Sequence, residues 1–113
     1  MNDPIDHPRH YEQAHPGVEC IDLTGSLSFP VGNMVKYVWR HRSKGKPVED
    51  LRKALWYARY AADRQPAIRL DDAQTRVVAA LVGQTDGWEN LFWQSFRVAD
   101  WPEMIRLLDE AAR

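Results

Sequence analysis

The sequence contains a single cysteine, Cys20, and this scarcity excludes a fold held together by intrachain disulfides. It also has no apolar run that approaches the ~20 residues needed for a membrane-spanning helix. The first ten residues contain no apolar segment typical of a signal peptide. We therefore expect a protein of the reducing cytoplasm that has no membrane partner.

The chain also lacks an excess of charge and a known phosphate-binding motif. Its 113 residues carry a formal net charge of −1, whereas proteins that bind nucleic acid generally are strongly basic. The phosphate-loop pattern GxxxxGK[ST] does not occur in the chain. The net charge therefore argues against general nucleic-acid binding, and any phosphate would have to be held by other groups.

Apolar residues recur at helical spacing, with neither strand-like alternation nor an internal repeat, and this pattern predicts an all-α fold. We predict five or six helices packed as an irregular bundle. They cover residues 18–27, 29–42, 48–64, 72–82, 88–98 and 101–112, with an irregular arm over 1–17 and a turn over 83–87. In the first helix Val18, Ile21 and Leu27 should point inward. Residues 1–65 would form one helical domain, and 66–113 an extension packed on the same core.

The helix predicted over 29–42 has an unusual polar face. Four residues follow one another at i, i+3, i+4 and i+7 and so project from one side: Asn33, Lys36, Tyr37 and Arg40. Each carries a hydrogen-bond donor, and residues 36–46 contain five lysines or arginines and no acid. Such a face suits an anion attached to a flat ring, as in a nucleotide. It also suits a helix face that only water contacts.

Two carboxylates precede this helix. Glu19 and Asp22 lie at i and i+3, which places them on one face of the first predicted helix. They could hold Mg²⁺ through oxygen ligands, or they could cap the helix, where the dipole favours acids. In a third interpretation they form ion pairs with Lys36 and Arg40, and nothing binds.

The helix predicted over 48–64 again combines charges with aromatic rings. Its second row consists of Asp50, Lys53, Tyr57 and Tyr60, with Trp56 at the border. We expect Asp50 and Lys53 to form an ion pair. The rings of the C-terminal half should lie in the core or at a subunit contact: Trp88, Phe92, Trp93 and Trp101.

These residues form an ordered set of motifs. They read HY at 10–11, ECID at 19–22, GNxxKYxWR at 32–40 and DLxKAxWY at 50–57. The set resembles a small domain of bacteriophages and prophages, in a family that includes the phage T7 nucleotide kinase. The resemblance covers about residues 6–64. It implies nucleotide handling in the host cytoplasm and, for a kinase, transfer of phosphate from Mg-ATP to a deoxynucleoside monophosphate.

The polar faces and the resemblance together predict a nucleotide site. Arg40 would grip a phosphate with two hydrogen bonds, and lysines would act as point charges. The predicted nucleotide-binding residues are His10, Tyr11, Asn33, Lys36, Tyr37, Arg40, Lys53, Trp56 and Tyr57, with His41 as a further candidate. The predicted catalytic residues are Lys36, Arg40 and Asp22, and the predicted ligands of Mg²⁺ are Glu19 and Asp22.

Two other functions stay open from the sequence. The protein could bind and sequester a nucleotide without catalysis, for instance a signalling nucleotide of a host defence system. Alternatively, the aromatic C-terminal half could bind a host protein. Nucleotide pyrophosphohydrolase chemistry is disfavoured, because only Glu19 and Asp22 form a suitably spaced acidic pair. We also expect a homo-oligomer with sites near its interfaces, because the surplus of aromatic rings suits a subunit contact.

Overall fold

The computed structural model describes residues 15–43, 45–64 and 66–113, and this part of the chain folds into six α-helices. They are α1 (Cys20–Thr24), α2 (Phe29–Arg40), α3 (Pro47–Ala62), α4 (Asp72–Gln84), α5 (Gly87–Arg97) and α6 (Trp101–Ala111). No strand occurs among these residues, which confirms the predicted all-α class. None of the six helices is long and apolar enough to cross a membrane.

Helices α2 and α3 pack side by side and carry the polar residues singled out above. Each has a proline in its first turn, Pro30 in α2 and Pro47 in α3, where the missing N–H costs no helical hydrogen bond. Glu49 and Asp50 occupy the first turn of α3, where the helix dipole favours negative charge. Local sequence therefore determines where both helices begin.

Side-chain caps define the starts of α4 and α6. Asp71 accepts a hydrogen bond from the backbone N–H of Gln74 at 2.8 Å, and Gln74 Oε1 accepts one from the N–H of Asp71 at 2.9 Å. Asp100 likewise accepts from the N–H of Glu103 at 3.2 Å. Gln74 Nε2 also donates to the carbonyl oxygen of Leu23 at 2.9 Å, which ties α4 to α1.

One continuous core joins the two halves of the chain. The helices pack in a closed circuit, from α1 to α2, α3, α6, α5, α4 and back to α1. At its centre the Trp39 ring of α2 meets Trp93 of α5 edge to face, with centroids 6.4 Å apart. Both rings are fully buried, as is Phe92, and Trp101 is nearly so. Trp88 is only half-buried.

Several predicted helix ends differ from those in the structure. The first helix covers Cys20–Thr24 rather than 18–27, because the backbone of Glu19 is extended (φ −106°, ψ 129°). This shift turns Ile21 outward, with 64% of its surface exposed, and buries Leu23 in its place. The predicted turn over 83–87 is shorter, since α4 continues through Gly83 to Gln84.

Candidate functional site

A groove between α2 and α3 brings together four of the predicted site residues. It has a volume of about 340 Å³ and is lined by Tyr37 of α2 and by Lys53, Trp56 and Tyr57 of α3. The two tyrosine rings stack almost parallel, with centroids 6.1 Å apart and planes 12° apart. Trp56 meets Tyr57 edge to face at 5.1 Å. The groove therefore presents aromatic faces on both helices.

Three cations surround the ring of Tyr37. Lys36 Nζ lies 4.5 Å from the ring centroid, Lys53 Nζ 5.4 Å and Arg40 Cζ 5.5 Å. Each distance lies within the ~6 Å over which a cation is attracted to an aromatic face. The helical spacing of α2 supplies two of these cations, and only the packing of α3 adds the third. The result is a positively charged cluster beside the aromatic groove.

A second groove lies on the other side of α2, next to α1. Its volume is about 310 Å³, and it is lined by Ile21, Thr24, Gly25, Leu27, Ser28, Phe29, Gly32, Asn33 and Lys36. Asn33 donates from its amide to the carbonyl oxygen of Phe29 at 2.8 Å. The Phe29 ring is 73% exposed and meets Tyr57 edge to face at 6.0 Å, so it links the two grooves.

The ion pairs of this region differ from the predicted ones. Asp50 does not pair with Lys53: it is buried, and its Oδ2 lies 3.7 Å from Nε of Arg40. Lys53 instead lies 3.7 Å from Glu49, one helical turn away. The predicted ion pair between Asp50 and Lys53 does not form, because Asp50 turns toward α2 whereas Lys53 stays at the surface. Arg40 thus has a structural contact besides its place near Tyr37.

The predicted Mg²⁺ ligands lie at α1. Glu19 is the half-buried N-cap residue of that helix, and Asp22 is exposed in its first turn. Burial raises the pKa of the intervening Cys20 thiol to about 12, which keeps it protonated and unreactive. Within the described ranges, no three His, Cys, Asp or Glu side chains are arranged to hold a metal ion.

Two predicted nucleotide-binding residues, His10 and Tyr11, lie outside the described residues. His41 lies within them but is buried near α5 rather than in either groove. Its Nδ1 contacts the carbonyl oxygen of Val38. His41 therefore belongs to a different cluster of polar side chains.

That cluster surrounds Glu89, a buried acid that sequence analysis did not single out. Its two carboxylate oxygens lie 3.6 Å from Nε2 of His15 and 3.8 Å from Nε2 of His41. Arg42 Nη2 approaches it to 2.8 Å. A sequence signal did exist, because Glu89 occupies the inner row of α5 at i, with Phe92, Trp93 and Phe96 at i+3, i+4 and i+7.

Burial sets the protonation of this cluster. It raises the pKa of Glu89 above its usual value, against the opposing effects of His41 and Arg42. It lowers the pKa of His15 from 6.5 to about 4, while a hydrogen bond to Gln84 opposes the shift. At neutral pH His15 is therefore uncharged. The residues of this cluster come from both halves of the chain.

We expect replacement of His15 by Gln to remove part of the acid sensitivity of the fold. Because the folded-state pKa of His15 is depressed, its stabilising contribution is complete above pH 6.5 and is lost as the pH falls toward 4. From pH 7 to pH 4, the unaltered protein should lose about 2–3 kcal/mol more of its free energy of unfolding than the variant loses. Urea denaturation at both pH values measures this, and parallel losses in the two proteins would contradict it.

A family model described as a protein of unknown function, DUF3310, matches residues 5–59. The chain is similar to this family over that segment, which contains all four residues that line the aromatic groove. The match ends inside α3, so α4, α5, α6 and Glu89 lie beyond it. The description of this family gives no activity, and the match does not link the chain to the phage T7 nucleotide kinase. No curated protein and no solved structure matches the chain.

Proposed function

We propose that the groove between α2 and α3 binds a nucleotide. The observation that carries this proposal is the arrangement around Tyr37, where three cations lie within 5.5 Å of one ring and a second tyrosine stacks on it. The base would contact the aromatic walls formed by Trp56 and Tyr57. The phosphate would lie among the cations, beside Lys53.

The charges around Tyr37 favour a bound anion. Lys36, Lys53 and Arg40 repel one another, and the ring and the nearby acids offset only part of this repulsion. A phosphate would provide charge-assisted hydrogen bonds to these groups. Arg40 contacts the buried Asp50, whereas Lys53 contacts only the exposed Glu49, so the two lysines are more available to a ligand than Arg40.

The size of the groove fits a small ligand. Pockets for small molecules and cofactors have volumes of ~300–1,000 Å³, and the groove lies near the lower limit. It would hold one base with its sugar, leaving the phosphate toward the open, cationic side. Base–aromatic stacking would contribute on the order of 1–3 kcal/mol, with little preference among bases.

Phosphoryl transfer from Mg-ATP to a nucleoside monophosphate is a second candidate function. The second groove favours it, because it lies across α2 and is lined by Lys36, which also belongs to the cluster around Tyr37. Two nucleotides on either side of Lys36 would let one cation contact both phosphate chains. In this case Glu19 and Asp22 would be the candidate ligands of Mg²⁺, which would offset charge on the transferred group.

Replacement of Lys53 by Ala should weaken nucleotide binding about tenfold. The loss corresponds to one charge-assisted hydrogen bond of ~1.5 kcal/mol, and the fold should survive because Lys53 is half-exposed. Isothermal titration calorimetry with deoxynucleoside monophosphates measures the effect. Arg76→Ala is a matched control, since it removes an exposed cation of α4 and should leave affinity unchanged. Equal affinities of the Lys53 variant and the unaltered protein would contradict the site.

The same titrations distinguish binding alone from catalysis. Binding that requires Mg²⁺, together with formation of ADP and a nucleoside diphosphate from ATP and the monophosphate, would support the kinase. Mg²⁺-independent binding that persists in Asp22→Asn, without turnover, would support sequestration. If no nucleotide binds, the proposal fails, and binding of a host protein through the C-terminal half becomes the hypothesis to test.

A further inference from the structure

The aromatic surface of α3 extends beyond the groove. Trp56 lines the groove, but 60% of its surface is exposed, and it stacks on Tyr60 with centroids 5.6 Å apart and planes 16° apart. Tyr60 does not line the groove and is 40% exposed. A mononucleotide in the groove would contact Trp56 and Tyr57 and would leave the ring of Tyr60 uncovered.

A cation accompanies the outer pair of rings. Arg64 Cζ lies 3.8 Å from the centroid of Tyr60, closer than any of the three cations lies to Tyr37. Arg64 Nη1 also donates to the carbonyl oxygen of Tyr60 at 2.9 Å. The guanidinium therefore contacts both the ring and the backbone carbonyl of Tyr60. These contacts order it before a ligand binds, which lowers the entropy cost of binding.

These groups form one continuous row along α3 and the turn that follows it. Lys53, Trp56, Tyr57 and Tyr60 occupy positions i, i+3, i+4 and i+7 on one face of α3, and Arg64 follows in the turn after the helix ends at Ala62. From Lys53 to Tyr60 the row spans ~10 Å at 1.5 Å per residue. Along it a cation is followed by three aromatic rings and then by a second cation. Neighbouring bases of a single strand present stacking faces and phosphates in a similar alternation.

We infer that the ligand of this site contains two bases joined through phosphate. This inference rests on the proposed nucleotide site, which would take the first base. The second base would stack on the exposed ring of Tyr60, and Arg64 would contact a phosphate or the base face. The same chemistry occurs at the end of a single-stranded nucleic acid and in a free dinucleotide.

The charges of the surroundings limit the ligand to this short length. Glu49 lies one turn before Lys53 and pairs with it, and Asp63 is exposed beside Arg64 at the other end. These carboxylates would repel a phosphate backbone that continued past the row. The formal net charge of −1 likewise supplies no extended basic surface. A site for about two nucleotides agrees with both observations.

Calorimetric titration with a matched ligand series tests the inference. The series consists of the mononucleotide that binds most tightly, the 5′-phosphorylated dinucleotide of the same base, a ten-nucleotide strand of that base, and the cyclic dinucleotide. We expect the linear dinucleotide to bind about tenfold or more tightly than the mononucleotide, because one further base stacks. A ten-nucleotide strand that binds as tightly as the linear dinucleotide would assign a strand end. Tighter binding of the cyclic compound would assign a free dinucleotide.

Tyr60 variants show whether the outer rings cause this gain. Tyr60→Ala should abolish the gain without changing mononucleotide affinity, whereas Tyr60→Phe should retain it because the ring remains. Arg76→Ala serves as the control for loss of a remote surface group. Mononucleotide binding without any gain for the dinucleotide would overturn the inference and leave the nucleotide site standing. Failure of the whole series would overturn both, and self-association that Tyr60→Ala abolishes in sedimentation would identify the row as a subunit contact instead.

Discussion

A chain that ends at Arg64 is expected to show no cooperative unfolding transition. The family match covers residues 5–59, yet the ring of Trp39 in this segment is buried against Trp93 of α5. Helix α3 likewise packs on α6. Without the last three helices these apolar surfaces would face water, and about 60 residues seldom supply a sufficient core alone.

Urea denaturation followed by near-ultraviolet circular dichroism measures this loss. The full chain should give a sigmoidal transition and a signal from its packed tryptophans, and the shortened chain should give neither. Addition of a separately made 66–113 segment should restore part of the signal if the two halves share one core. A cooperative transition of the shortened chain alone would contradict the prediction. Assays of function should therefore use the whole chain.

Replacement of Arg40 by Ala should lower the free energy of unfolding by about 3 kcal/mol. Asp50 is 3% exposed, and Nε of Arg40 lies 3.7 Å from its Oδ2. Removal of one partner of a buried ion pair leaves the other charge without compensation, which typically costs ~3–5 kcal/mol. The lower value applies here because Arg40 is partly exposed and the contact is longer than a hydrogen bond.

Two further variants separate this effect from a role in binding. Lys36→Ala changes a cation one helical turn away and should cost less than about 1 kcal/mol. The double variant Arg40→Met/Asp50→Leu removes both charges and should recover most of the lost stability. If the double variant binds nucleotides normally, Arg40 is a structural residue for binding, and its predicted nucleotide-binding role is wrong. If Arg40→Ala is as stable as the unaltered protein, the ion pair contributes nothing and the prediction fails.

Much of the candidate site could be predicted from helical spacing. The polar face of α2 places Lys36, Tyr37 and Arg40 together, and the same reasoning places Lys53 and Tyr57 on α3. The two sets meet at the groove because both helices bury their opposite, apolar faces in one core. Whether these residues bind a nucleotide stays a prediction, as do the Mg²⁺ ligands, the homo-oligomer and the kinase activity.

Other features depended on contacts between distant parts of the chain. The partner of Asp50 is Arg40 rather than Lys53, because the carboxylate turns into the interface between α2 and α3. The partners of buried Glu89 come from distant parts of the chain. His41 and Arg42 follow α2, and His15 precedes α1. An acid on an apolar helix face signals an unusual environment, but it does not identify its partners.

The sequence by itself determined the helical class, the apolar faces and most helix starts of this protein. These properties depend on spacing, prolines and capping residues within a few positions, so they are readable locally. The tertiary structure alone decided which faces meet, which charges pair and where an acid is buried. Those outcomes depend on which of the six helices pack against one another, and periodicity along one helix carries no information about its neighbours.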